Sequence, residues 1–135
     1  MPPDIDRLAG AISAGRKAYR LPVRAEAEAA DIVDAALALL FPHFASDPGG
    51  DDAAVRGEIN RLEALLSCFL AGFAPDEPRL LRPFSEALPD IRQALLMDAE
   101  ATCDADPAAT SVDEVILAYP GFYALACYRI AHHIL

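Results

Sequence analysis

Apolar positions recur along this chain at helical spacing and almost nowhere at strand spacing. Val55, Ile59, Leu62, Leu66, Phe69 and Phe73 repeat at intervals of four, three, four, three and four. Ala30, Val33, Leu37 and Leu40 follow a three-four-three rhythm, and Ile91, Leu95 and Ala99 stand four apart. Such intervals place each set on one face of a helix, with polar residues filling the rest of the circumference. No sustained alternation of apolar and polar residues argues for a strand, and Ala, Leu, Glu and Arg, all good helix formers, dominate. The pattern predicts an all-α chain, an antiparallel multi-helix bundle of about six to eight helices including short ones.

Punctuation supplies the boundaries. A first short helix spans about Ile5 to Tyr19 and stops at Leu21-Pro22. A second begins near Arg24, carries Glu26 where an acid suits the helix dipole, and ends at Pro42, which lacks an amide hydrogen and crowds the preceding turn. Ala45 to Asp52, with Pro, two Gly and three Asp, is the clearest loop, and Asp51 or Asp52 can cap the helix that follows. The heptad-like seam from Val55 to Phe73 is suited to packing within the domain, or against a second copy. Pro75 and Pro78 close that helix. Leu80 to Leu88 reads as a proline-bounded connector, and Pro89 as the first residue of a helix running to about Asp104. Asp98, Glu100 and Asp104 sit in its second half, where the dipole disfavours acids. They form either a solvated face or one opposite a cation or basic partner.

Composition narrows the class. The 135 residues suffice for one domain with a modest core. No apolar run approaches the roughly 18 residues of a membrane span, and no signal peptide is visible at the N-terminus. The formal charge of −10 argues against nucleic acid or an anionic membrane as partner. Cys68, Cys103 and Cys127 are odd in number and far apart, with no metal-ligand spacing, and read as reduced core thiols of a cytoplasmic protein.

Chemical interest concentrates in Asp106 to Leu135. By spacing alone, Asp106-Pro107 is an N-cap followed by a proline preset for a first turn. Ser111-Val112-Asp113-Glu114 fits a capping box that starts a short helix to about Ala118. Tyr119-Pro120-Gly121 breaks that helix, and Pro120 starts the last one. On it Arg129, His132 and His133 share one arc and the remainder is apolar, so the helix reads as mostly buried. Two adjacent histidines point about 100° apart and make a poor metal site. His43 is a lone loop histidine with no evident role. No phosphate loop, nucleophile elbow or Ser/His/Asp set is present. The final helix reaches the last residue uncapped, which reads as a chain cut rather than finished.

These residues carry a resemblance. Asp106-Pro107-Ala108, Glu114-Val115-Ile116, Tyr119-Pro120-Gly121-Phe122 and Tyr128-Arg129-Ile130-Ala131-His132, in that register, resemble the segment of bacterial serine O-acetyltransferases that joins a helical N-terminal domain to the catalytic domain. The family transfers acetyl from acetyl-CoA to the hydroxyl of L-serine, on the way to cysteine. Its catalytic domain is a trimeric left-handed β-helix of hexapeptide repeats that holds the catalytic histidine and the CoA groove, and no such repeats occur here. The resemblance implies a helical body over residues 1–105 and connector helices over 106–135, leading toward an absent catalytic domain. It implies that Asp106 helps to hold serine, and the inhibitor cysteine, in the full enzyme. Arg129 and His132 match the motif as packing and hydrogen-bonding groups. No catalytic residue, metal or cofactor belongs to this chain, acetyl-CoA being the full enzyme's co-substrate. The helical domain is expected to form homo-oligomers. A reading from another class is a stand-alone, non-enzymatic helical interaction or regulatory module.

Overall fold

The chain is described by a computed structural model covering residues 4–19, 24–73 and 81–134. Among the described residues there are six helices and no strand: α1 (Ile5–Ala18), α2 (Ala25–Leu40), α3 (Asp52–Phe73), α4 (Leu81–Ala105), α5 (Val112–Ala118) and α6 (Pro120–Ile134). The all-α expectation holds. The Leu21-Pro22 break and the Pro75 and Pro78 stops fall outside the described residues.

One apolar core joins α2 to α6. Val33, Leu37 and Leu40 of α2 meet Leu62 and Leu66 of α3, with Ile91, Leu95 and Ala99 of α4, all buried. Val115, Ile116, Phe122, Ala126 and Ile130 complete the same cluster, so the segment beyond Ala105 packs into the body's core. α4 is the central element and touches α2, α3, α5 and α6. Phe41, just past α2, lies edge-on to Phe122, with ring centroids 5.6 Å apart. From α4, Arg92 stands over the Phe41 ring and donates from Nε to the Leu40 carbonyl at 3.0 Å. It thereby satisfies one of the carbonyls that every helix leaves open at its C-terminus.

Local chemistry explains most boundaries. The Asp51 carboxylate accepts the amides of Ala53 and Ala54 at 3.1 and 2.9 Å, starting α3 as its N-cap. Ser85 on α4 donates to Glu63 on α3 at 2.5 Å. The α3 seam, however, is not buried along the whole of its described length. Leu62, Leu66 and Leu70 are in the core, whereas Val55 is 40% exposed and Ile59 and Phe69 are partly covered.

Two other expectations are corrected. Pro89 does not start a helix, because α4 runs through it from Leu81 to Ala105. Proline removes one donor from the ladder and crowds the turn before it, yet Phe84, Leu88, Ile91 and Leu95 share one buried face across that position. Burial of four large side chains outweighs the local penalty. Cys68 is exposed, whereas Cys103 and Cys127 are partly covered and pack against the core, so none of the three free thiols is fully buried.

α1 stands apart. Asp4 caps it, accepting the Arg7 amide at 3.1 Å, but none of its residues is buried. Its apolar stripe, Ile5, Leu8 and Ile12, is 64%, 52% and 50% exposed.

Candidate functional site

α4 delivers Asp106 to the surface. Its amide still bonds the Thr102 carbonyl at 3.0 Å, closing the last turn, and the chain then leaves the helix. Asp106 does not cap a following helix, as its spacing suggested. Its Oδ1 accepts the Ala108 amide at 2.9 Å and its carbonyl accepts the Ala109 amide at 3.0 Å, which makes a single tight turn. Too few residues separate Ala105 from the Ser111 cap for anything longer.

The far side of the loop is fixed as well. Ser111 Oγ accepts the Glu114 amide at 3.1 Å, as a capping box requires. The reciprocal half is shifted by one residue. Glu114 Oε2 accepts the Thr110 amide and hydroxyl at 2.8 and 2.6 Å, rather than the Ser111 amide. Those two bonds hold the Glu114 carboxyl below its ordinary range. α5 then ends at Tyr119, whose hydroxyl reaches back and donates to Asp106 Oδ2 at 2.8 Å. The Ala108 amide first, and the Tyr119 hydroxyl second, hold the Asp106 carboxyl below its usual range; the same bond raises the Tyr119 hydroxyl.

Beside this carboxylate lies a shallow hollow of about 510 Å³, with Ala101, Thr102, Ala105, Pro107 and Leu125 in its wall. Asp98 also lines it, but is engaged. Arg129 of α6 forks onto Asp98, Nε to Oδ2 at 2.5 Å and Nη2 to Oδ1 at 2.8 Å. The helix-end acid Asp98 thus has a basic partner opposite it, while Glu100 and Asp104 face solvent. Arg129 is a hydrogen-bonding group; its guanidinium is raised by that carboxylate. Asp106 is half-buried, with one hydrogen bond on each oxygen from the chain itself. Each carboxylate oxygen can accept more than one, so the group can still take an ammonium or hydroxyl proton. The lining offers no histidine, thiol or amine.

Other predicted residues fall elsewhere. His132 stacks on Tyr128 on the exposed side of α6, and His133 back-bonds the Arg129 carbonyl. α6 buries Phe122, Ala126 and Ile130 but leaves Tyr123, Leu125 and Tyr128 exposed, so it is covered on one face only. Among the described residues, no group of three or more His, Cys, Asp or Glu is placed to hold a metal. Sequence reasoning missed His43, whose Nε2 lies 2.8 Å from Asp113 Oδ1 and ties the α2–α3 loop to the start of α5. It also missed Tyr123, which donates to Asp34 at 3.0 Å. Neither pair leaves a local signal, because the partners stand far apart in sequence.

The class is therefore a helical bundle presenting one loop-held carboxylate at the end of its central helix. Residues 76–127, from just ahead of α4 into α6, match the family model described as serine acetyltransferase, N-terminal. A serine acetyltransferase encoded on a plasmid of Synechococcus elongatus is 40% identical over 55 residues, 41% of this chain. Asp106 and Tyr119 both lie within the matched stretch. The aligned stretch spans 17% of the length of that relative. Arg129 and His132 lie beyond the matched residues.

Proposed function

We propose that this chain is the helical N-terminal part of a serine acetyltransferase, which moves acetyl from acetyl-CoA to the L-serine hydroxyl in the cytoplasm on the way to cysteine. Asp106 is its contribution to the amino-acid site. The observation that carries the reading is the position of Asp106: a half-buried, ionised carboxylate, held in a fixed turn beside a hollow, within the matched segment. Residues 1–105 act as the body that presents it, and 106–135 as the connection to a catalytic domain. On this reading the acetyl transfer itself is assigned to that other domain, and this chain's part is to place the carboxylate.

The second role is self-association. What supports it is α1, an amphipathic helix with its apolar stripe uncovered, together with an apolar groove of about 620 Å³ between α2, α3 and α6, lined by Val33, Phe69, Ile130 and Ile134. Exposed apolar surface of this kind marks contact sites.

The test is turnover. The 135-residue chain mixed with acetyl-CoA and serine should release no CoA, and clear turnover would overturn its assignment as a non-catalytic part. The full-length gene product should be active, with Asp106→Ala weakening serine binding more than acetyl-CoA binding. Sedimentation of the isolated chain should show association at high micromolar concentration, and a monomer there would remove the second role.

A further inference from the structure

Asp106 is oriented by one side chain, and that side chain is far away in sequence. Its Oδ1 is held by the neighbouring Ala108 amide, a bond the turn makes from backbone alone. Its Oδ2 is held by the Tyr119 hydroxyl, thirteen residues on and across α5. Tyr119 is well anchored for this. Its amide bonds the Val115 carbonyl at 3.2 Å, its carbonyl accepts the Phe122 amide at 3.0 Å, and its ring packs against the core cluster. Pro120 follows it, and fixes the backbone where α6 begins.

The bond is not needed to place the loop. The Thr102–Asp106 backbone bond fixes one end, and the Ser111 and Glu114 contacts fix the other. What the Tyr119 hydroxyl adds is the rotation of the carboxyl group and the supply of a proton donor to its charged form. Both matter to a cationic ligand. An ammonium group needs an anionic acceptor in a set direction, and each oxygen keeps acceptor capacity after its internal bond.

We propose that Tyr119 is a positioning residue for amino-acid binding: through its hydrogen bond to Oδ2 it sets the Asp106 carboxylate to receive the substrate's ammonium group. This rests on the reading of Asp106 as a serine-contacting group. The lower carboxyl pKa of Asp106 agrees with it, since the hydroxyl donates to the anion.

The experiment compares Tyr119→Phe, Asp106→Asn, the double variant and Tyr123→Phe in the full-length gene product. Tyr119→Phe keeps the ring and deletes only the hydroxyl. It should raise the KM for serine about tenfold, the effect of one hydrogen bond to a charged group, with kcat, acetyl-CoA KM and melting temperature little changed. The double variant should be no worse than Asp106→Asn alone, because the hydroxyl acts through that carboxylate. Tyr123→Phe removes a similar Tyr–Asp bond, to Asp34 on α2, and should leave serine KM unchanged. On the 135-residue chain, carboxyl NMR should show Asp106 titrating at higher pH in Tyr119→Phe. If Asp106→Asn raises serine KM and Tyr119→Phe does not, the positioning role is wrong. A loss spread equally over both substrates and the melting temperature would mark Tyr119 as structural and also overturn it. If Asp106→Asn leaves serine KM unchanged, or the full-length product has no turnover, it is the reading of Asp106 that fails.

Discussion

Replacing Pro89 with alanine asks whether α4 is one helix or a connector followed by a helix, because the two arrangements differ in the sign of the effect. In the structure Pro89 is exposed in the interior of a helix from Leu81 to Ala105, with the ladder running past it on both sides. Alanine there restores a helical amide and relieves the crowding of the preceding turn. A proline inside a helix is about 3 kcal/mol less favourable than alanine. Some of that is not recovered, because Phe84, Leu88 and Ile91 are packed around the backbone as the proline leaves it. A gain of about 2 kcal/mol is therefore expected, or roughly 5–10 °C in melting temperature for a domain of this size. Were Pro89 the first residue of a helix, its missing amide would be an orphan anyway, and alanine would be neutral or slightly destabilising. Thermal melts by circular dichroism at 222 nm, with urea titrations to confirm a constant slope, read the difference. An unchanged or lowered melting temperature would refute a continuous α4.

Three further outcomes follow from the packing. Asp98→Ala, Arg129→Ala and the double variant should show a coupling of about 1–2 kcal/mol. That lies between an exposed and a buried pair, because the two side chains are 21% and 32% exposed; urea unfolding that gives no coupling would reduce the fork to a surface contact. Leu95→Ala, at the fully buried centre of α4, should lose about 3 kcal/mol, whereas Val55→Ala on the exposed start of α3 should lose less than about 0.5 kcal/mol; similar losses at both would mean that the α3 seam is buried throughout. For pH, Asp106 and Glu114 have lowered pKa values, so the stability they add is full above their ordinary pKa of about 4 and is lost as pH falls through the lower folded values. Tyr123, pushed up to about 12 first by desolvation of its hydroxyl and then by its bond to Asp34, and Tyr119, also raised, act in the opposite sense. Their share is full below about pH 10 and is lost above it. Urea midpoints should therefore fall on both the acid and the alkaline side, and the alkaline fall should shrink in a Tyr119→Phe, Tyr123→Phe double variant.

What the sequence could show was set by distance along the chain. The long helices were legible because their apolar periodicity is local and repeated, and Ser111 and Tyr119-Pro120-Gly121 mark the edges of α5 in the residues themselves. Even the course of α4 was written in one phase by Phe84, Leu88, Ile91, Leu95 and Ala99, with the proline among them masking a pattern that burial enforces. The site was half legible. The register of Asp106 to His132 gave the resemblance, but the spacing of Asp106-Pro107 pointed to a helix cap and not to a turn. Tyr119 to Asp106, Arg129 to Asp98 and His43 to Asp113 are long-range pairs, and nothing near either partner announces the other. α1 shows the converse case: an amphipathic stripe is plain in sequence, yet the pattern cannot say whether anything covers it.

On the proposed function, the loop from Asp106 to Ser111 is what this helical bundle contributes to an acyl-transfer site. A carboxylate on a free loop would have to be ordered when substrate arrives, and each residue fixed opposes binding by about 1–2 kcal/mol. Here the ordering is already done by bonds inside the chain: Thr102 and Ala109 through the backbone, Ser111 and Glu114 at the far end, and Ala108 and Tyr119 on the carboxylate itself. Every one of those partners comes from α4, α5, the loop between them or the residue that caps the end of α5, and α4 and α5 share the core with α6. On the proposed function, the folding energy of the bundle sets the direction of one acceptor before any substrate is bound. On that reading, deleting the Tyr119 hydroxyl is expected to change the KM for serine more than it changes stability.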